Sequence, residues 1–201
     1  MRRVWLVLVC LLWLAPLPAA ARTLLVVGDS LSAAYGMDAK SGWVALLQKR
    51  LAQEKPDYRV INASISGDTT ANGLARLPRL LAEHKPVLVV IELGGNDGLR
   101  GQSLGQMKHN ITAMVTKAKN IKARVLLAGV RLPPNYGPAY AGKFQRVYQE
   151  VAREQQVALV PDMLDDIANN GALMLQDRIH PNAEAQAQVL ENIWPHLHRL
   201  L

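Results

Sequence analysis

Apolar positions along this chain fall into two alternating kinds of run. Short, near-continuous stretches at Leu24–Val27, Arg59–Ala63, Leu88–Leu93, Val125–Gly129 and Val157–Val160 read as strands. Several are apolar on both faces, as parallel strands are when buried between two layers. Between them the spacing becomes helical. Trp43, Val44, Leu46, Leu47 and Leu51 mark one helix. Leu74–His84 marks a second, with Leu77, Leu80 and Leu81 inward and Pro78 read as an early-turn proline. Ser103 caps a third, which runs to about Lys119 and turns Met107, Ile111, Met114 and Val115 inward. Residues 138–155 carry Tyr140, Phe144, Val147, Tyr148 and Val151. The last helix runs from about Asn182 to Leu200, kinked or ended by Pro195. Such alternation with short links predicts a parallel sheet covered on both sides and joined by right-handed crossovers.

The first residues do not share this pattern. Met1-Arg2-Arg3 is a basic start, Val4 to Leu14 is almost purely apolar, and Ala19-Ala20-Ala21 offers a small-residue cleavage site. We read residues 1–21 as a secretory signal cut after Ala21, and the destination as the periplasm. The apolar run is too short to span a bilayer comfortably, and no stable membrane span is expected after cleavage. Residues 22–201 then form one domain, long enough for a single sizeable core. The only cysteine, Cys10, leaves with the signal, as do Arg2 and Arg3, which lowers the formal net charge of +7 by two. The remaining basic excess forms no Lys/Arg stripe and has no interleaved aromatics, so nucleic acid is not an expected partner.

The polar, glycine-rich segments all follow strands: Gly28–Gly36, Ser64–Gly73, Gly94–Gly101 and Arg131–Gly137, with Asp177–Pro181 following the fifth strand at a distance. Open α/β sheets bind ligands at this carboxyl edge. Ser30 ends Gly28-Asp29-Ser30 directly after the first strand. A serine there more often caps a helix, and the sequence lacks Gly-x-Ser-x-Gly. Its company argues otherwise. Gly67 sits in Ser66-Gly67-Asp68-Thr69 and can aim an N–H where a side chain would obstruct; making a tight turn is the plainer role. Asn96 in Gly94-Gly95-Asn96-Asp97 is either a turn residue or an amide donor to a developing negative charge. Of five histidines, His180 alone has a carboxylate three residues before it, Asp177, and a proline behind. Ser, Asp and His in that order is one of the orders in which a nucleophilic triad occurs. No second His/Cys/Asp cluster has metal-ligand spacing, so no metal is expected.

Together, Gly28-Asp29-Ser30-Leu31-Ser32, Gly67, Gly94-Gly95-Asn96-Asp97 and Asp177-Arg178-Ile179-His180-Pro181 resemble the four ordered blocks of the GDSL, or SGNH, hydrolase superfamily. The longer strings around Asn62–Thr69, Leu93–Gly101 and Arg131–Gly137 resemble its bacterial thioesterase, lysophospholipase and arylesterase branch. The resemblance implies a flavodoxin-like three-layer α/β/α sandwich with a five-stranded parallel sheet. It implies Ser30 as nucleophile, His180 as base and Asp177 as its orienting acid, with the Ser30 and Gly67 N–H groups and the Asn96 side chain as oxyanion hole. It also implies hydrolysis of small acyl or aryl esters, thioesters or lysophospholipids, with no cofactor. Candidates to line or gate an acyl groove are Ile65, Leu99, Leu132, Pro133, Pro134 and Tyr136. The glycines of the third loop are expected to let it move. A monomer is expected. A carbohydrate O-deacetylase on the same scaffold, a flavin-binding electron carrier and a non-catalytic binding module are the alternatives; the flavin carrier leaves Asp177 and His180 without a role, and the binding module would tolerate loss of Ser30.

Overall fold

A computed structural model describes residues 21–201; the expected signal therefore lies outside the described residues, save for Ala21. Five parallel strands, β1 (Arg22–Gly28), β2 (Tyr58–Asn62), β3 (Leu88–Glu92), β4 (Arg124–Ala128) and β5 (Ala158–Val160), lie in the order β2-β1-β3-β4-β5. This is the flavodoxin-like order. β1 is paired on both sides, Leu24 standing opposite Val60 on one neighbour and Leu88 on the other. Its residues Leu24–Val27 are wholly buried, as are Leu88–Val90 of β3. That explains their continuous apolar sequence: both faces meet helices.

One face is covered by α1 (Trp43–Glu54) and α6 (Gln186–His198), which pack on each other. On the other lie α2 (Thr70–His84), α4 (Leu104–Asn120) and α5 (Pro138–Gln155), with α4 in the middle. A short α3 (Gly95–Leu99) follows β3. Among the described residues no helix is long and apolar enough to cross a membrane.

Three boundaries differ from the sequence expectation. Helix α2 starts at Thr70, one turn before Leu74, because Thr69 and Asn72 form a capping box. Pro78 therefore lies well inside the helix, not in its first turn. Gly73 is accepted in that first turn because a Cβ there would collide with the Leu93 side chain. Helix α6 continues through Pro195 to His198, so the proline does not end it. A proline one turn from a helix end removes a single backbone bond and costs little continuity. Finally, Gly94–Gly101 is not a free loop. Asp97, 3 % exposed, accepts from the Thr70 N–H at 2.8 Å and from the Thr70 hydroxyl, which in turn accepts from Asn110 Nδ2 at 3.0 Å. The Tyr136 hydroxyl donates to the Leu99 carbonyl at 2.7 Å. These bonds hold α3 in place despite its poor helix propensity.

Candidate active site

The loops that follow β1, β2 and β3 lie side by side because those strands are adjacent in the sheet. They carry Ser30, Gly67 and Asn96. The residue that completes the cluster comes from the far end of the chain. Leu175 N–H donates to the His180 carbonyl at 2.8 Å, and Met174 pairs with Pro181 in an antiparallel bridge. This narrow loop returns His180 to the carboxyl edge. At its tip Asp177 Oδ1 accepts from the N–H groups of Ile179 (2.9 Å) and His180 (3.0 Å). The turn forces Arg178 into the left-handed region at φ 55°.

His180 Nδ1 lies 2.7 Å from Asp177 Oδ2, and His180 Nε2 lies 2.8 Å from Ser30 Oγ. The chain of contacts Asp177–His180–Ser30 thus joins residues 150 positions apart in sequence. Burial acts to raise the Asp177 carboxyl. The Ile179 N–H, the His180 ring and the His180 N–H outweigh it, and the group is held below the ordinary carboxylate range. An imidazole held by a carboxylate on one nitrogen can accept a proton on the other, and here the other faces a hydroxyl.

A cleft of about 600 Å³ opens beside Ser30. Ser30, Gly67, Asn96 and His180 all line it. Gly67 has φ 84°, and an added Cβ would meet only Arg100 at 3.7 Å, so conformation rather than space calls for glycine here. Among the described residues the Ser30 and Gly67 N–H groups have no protein acceptor. Asn96 is differently placed. Its Nδ2 donates to Asp29 Oδ2 at 3.1 Å and to the Asp68 carbonyl at 3.0 Å. An oxyanion is within its chemistry only by sharing one of these bonds.

Of the expected groove residues, Leu99, Leu132, Pro133 and Pro134 line the cleft. Ile65 and Tyr136 are not among the lining residues. Ile65 is half exposed outside the cleft, and Tyr136 serves instead to hold Leu99. The apolar wall is completed by Val130, Leu164 and Met174. The expected mobility of the third loop finds a different use for its glycines. A Cβ at Gly98 would stand 2.6 Å from Phe144 Cε2 and 2.7 Å from Leu132 Cδ2.

Several residues around the site escape sequence reasoning. Tyr35 lies against the His180 ring in a tilted arrangement, with centroids 4.5 Å apart. Glu92, 1 % exposed, accepts from the Ser32 hydroxyl at 2.6 Å and from the Asp29 N–H at 3.3 Å. Burial, then the neighbouring Asp29 charge, pushes its carboxyl well up. Burial likewise raises the Asp29 carboxyl to about 6, against the opposing Leu31 N–H and Asn96 amide. Arg131 reaches Asp162 Oδ2 at 3.1 Å on the cleft wall. The one available signal was Glu92 itself: a lone carboxylate ending an otherwise apolar strand marks a buried polar contact.

Comparison with known proteins agrees with this geometry. Residues 26–188 match the model of the GDSL-like Lipase/Acylhydrolase family. The chain is 61 % identical over 183 residues to Esterase TesA of Pseudomonas aeruginosa, which covers 91 % of each chain. It is 46 % identical over 168 residues to Thioesterase 1/protease 1/lysophospholipase L1 of Escherichia coli K12, covering 84 % of this chain and 79 % of that one. The solved structure of the psychrotrophic esterase EstA from Pseudoalteromonas, inhibited by monoethylphosphonate, superposes with a TM-score of 0.84. Their identity is 40 %, over 89 % of this chain and 97 % of that one.

Proposed function

The chain belongs to the GDSL-like lipase/acylhydrolase family, and on that premise we propose that it hydrolyses carboxylic esters and thioesters through an acyl-enzyme on Ser30. The observation that carries this reading is the 2.8 Å contact between Ser30 Oγ and His180 Nε2, on a ring whose other nitrogen is held by Asp177. As Oγ attacks the acyl carbon, its proton passes to Nε2. The carbonyl electron pair moves onto oxygen, within reach of the Ser30 and Gly67 N–H groups and the Asn96 amide. When the tetrahedral adduct collapses, the proton on Nε2 goes to the departing oxygen or sulfur. Water then repeats the sequence, giving its proton to His180 and its oxygen to the acyl carbon. Ser30 leaves as the alcohol.

The substrate reading rests on the cleft. Leu99, Val130, Leu132, Leu164 and Met174 offer an apolar wall for an acyl or aryl group, each buried methylene being worth about 0.8 kcal/mol. Small fatty or aryl esters, acyl thioesters and lysophospholipids fit it better than a polar acetyl sugar. The basic, then apolar, then small-residue start of the chain supports export and a periplasmic site of action. There lysophospholipids and simple esters are at hand, whereas acyl-CoA is cytosolic.

Ser30→Ala tests the reading. It should leave the fold intact and remove about six orders of magnitude from turnover, the scale seen when a triad serine is lost. A serine-reactive phosphonate should label Ser30 alone. Labelling elsewhere, together with an active Ser30→Ala protein, would overturn it.

A further inference from the structure

Arg76 stands on α2, outside the cleft lining, and has no part in the steps above. Its guanidinium nevertheless contacts both of the loops that flank the nucleophile. Nε donates to Asp68 Oδ2 at 2.7 Å, Nη1 to the Ala63 carbonyl, and Nη2 to the Gly28 carbonyl at 3.3 Å. Arginine and its carboxylate partner are both largely shielded, with side chains 20 % and 12 % exposed.

Each of these acceptors is close in the chain to a group that faces the substrate carbonyl. Gly28 is two residues before Ser30. Asp68 follows Gly67 directly, and the Asp68 carbonyl also accepts from Asn96 Nδ2 at 3.0 Å. Ala63 lies where β2 gives way to the second loop, its N–H donating to the Val26 carbonyl at 2.9 Å, and Ile65 follows with its N–H on the Gly28 carbonyl at 3.1 Å. Beside that backbone bond, one rigid, planar fork therefore braces the loop of Ser30 against the loop of Gly67 and, through Asp68, against the side chain of Asn96. Lysine would be a poor replacement, because its three donors radiate from one nitrogen on a flexible stem and do not reproduce the spread of a planar fork.

We propose that Arg76 is a positioning residue that sets the spacing of the three oxyanion donors. The proposal rests on the triad reading above, because it needs an oxyanion to be stabilised. The spacing matters in the transition state and hardly at all in the ground state, since donors aimed at the oxyanion lie out of line for the planar carbonyl.

The test uses Arg76→Lys and Asp68→Ala, with Arg79→Ala on the exposed side of the same helix as control. All are assayed at a temperature where circular dichroism shows each fully folded. We expect kcat for a p-nitrophenyl ester to fall about 10-fold to 100-fold in Arg76→Lys, the scale of a lost charge-assisted bond, with KM within about twofold. The affinity for a reversible alkyl boronic acid, which forms a tetrahedral adduct on serine, should fall by the same factor as kcat/KM. In Arg76→Ala, millimolar guanidinium should recover part of the lost kcat. Should Arg76→Lys not fold, Asp68→Ala reads the same split with the arginine still in place. An unchanged kcat, or a loss in which KM rises in step while boronic acid affinity stays, would overturn the proposal. Such a result would leave the triad reading standing; only an active Ser30→Ala protein removes both.

Discussion

The ring of Tyr35 lies against the ring of His180, centroids 4.5 Å apart and planes inclined by 38°. Tyr35 is 49 % exposed and lines the cleft, so it forms one wall of the imidazole's surroundings and meets solvent with the other. An aromatic contact of this kind is worth about 0.5–1.5 kcal/mol beyond its area. Tyr35→Ala should therefore lower kcat/KM by about 2-fold to 10-fold, and Tyr35→Phe should leave it nearly unchanged. Steady-state kinetics on a soluble short-chain ester separate the two; equal losses would assign the effect to the hydroxyl instead.

Asn96 carries a second expectation. Its amide already donates to Asp29 and to the Asp68 carbonyl, so its removal loosens both neighbours and, on the proposed mechanism, also deletes an oxyanion donor. Asn96→Ala should lower kcat by about 10²–10³ with little change in KM, the cost of one oxyanion donor. A raised KM at unchanged kcat would make it a binding or turn residue only.

The buried carboxyl pair gives a pH dependence of stability with a definite sign. Asp29 is raised from the ordinary 3.8 to about 6, chiefly by burial, and Glu92 is raised in the same direction. The folded state thus holds these protons more tightly than the unfolded state. The Asp29 contribution is complete below the ordinary carboxylate range and is lost as pH rises through about 6, and the Glu92 contribution is lost in the same direction, as pH rises through its own raised pKa. For Asp29 alone the loss is at most roughly 3 kcal/mol. Asp177, held low, acts oppositely and loses its contribution as pH falls into the ordinary range and below. Urea unfolding should give a lower midpoint at pH 8 than at pH 5.5, and Asp29→Asn should reduce that difference. A midpoint that rises steadily from pH 5.5 to 8 in the unaltered protein would contradict the sign.

Gly98 offers a packing test. An added methyl would stand 2.6 Å from Phe144 and 2.7 Å from Leu132, both in the core. Gly98→Ala should destabilise by about 1–3 kcal/mol through overpacking. Gly105→Ala, whose nearest neighbour is the Ser103 hydroxyl at 3.6 Å, should be neutral or stabilising in its helix. Denaturant midpoints of the two variants give the comparison.

The parts of the fold that were legible in the sequence are those ruled by burial. β1 and β3 are apolar on both faces, and their positions agree to within two residues, because nothing but a buried parallel strand writes such a run. That Ser30, Asp177 and His180 come together was legible through local order and turn chemistry, and the Asx turn at Asp177 is a short-range feature. α3 was not, since Gly-Asn-Asp-Gly has little helix propensity and is held by Thr70 and Tyr136 from elsewhere. The contacts of Tyr35 and Arg76 were invisible for the same reason, and of Glu92 only its burial was signalled, not its partner. Each acts through partners distant in sequence, 145, 60 and 48 residues away at His180, Ser32 and Gly28. Residues 161–170 lack a clear period, although Met163, Leu164 and Ile167 form part of the core.

The order of the strands also has a consequence in time. β1, β2 and β3, the central strand and its two neighbours, are complete by Glu92, and the loops beside them by about residue 100. The imidazole arrives only with residue 180, after the opposite edge strand has been laid down. A chain cut short before Asp177 would carry the Ser30 hydroxyl and the proposed amide donors without the proposed base. On the triad reading, activity therefore waits on the segment that carries Asp177 and His180, the last part of the site to be synthesised.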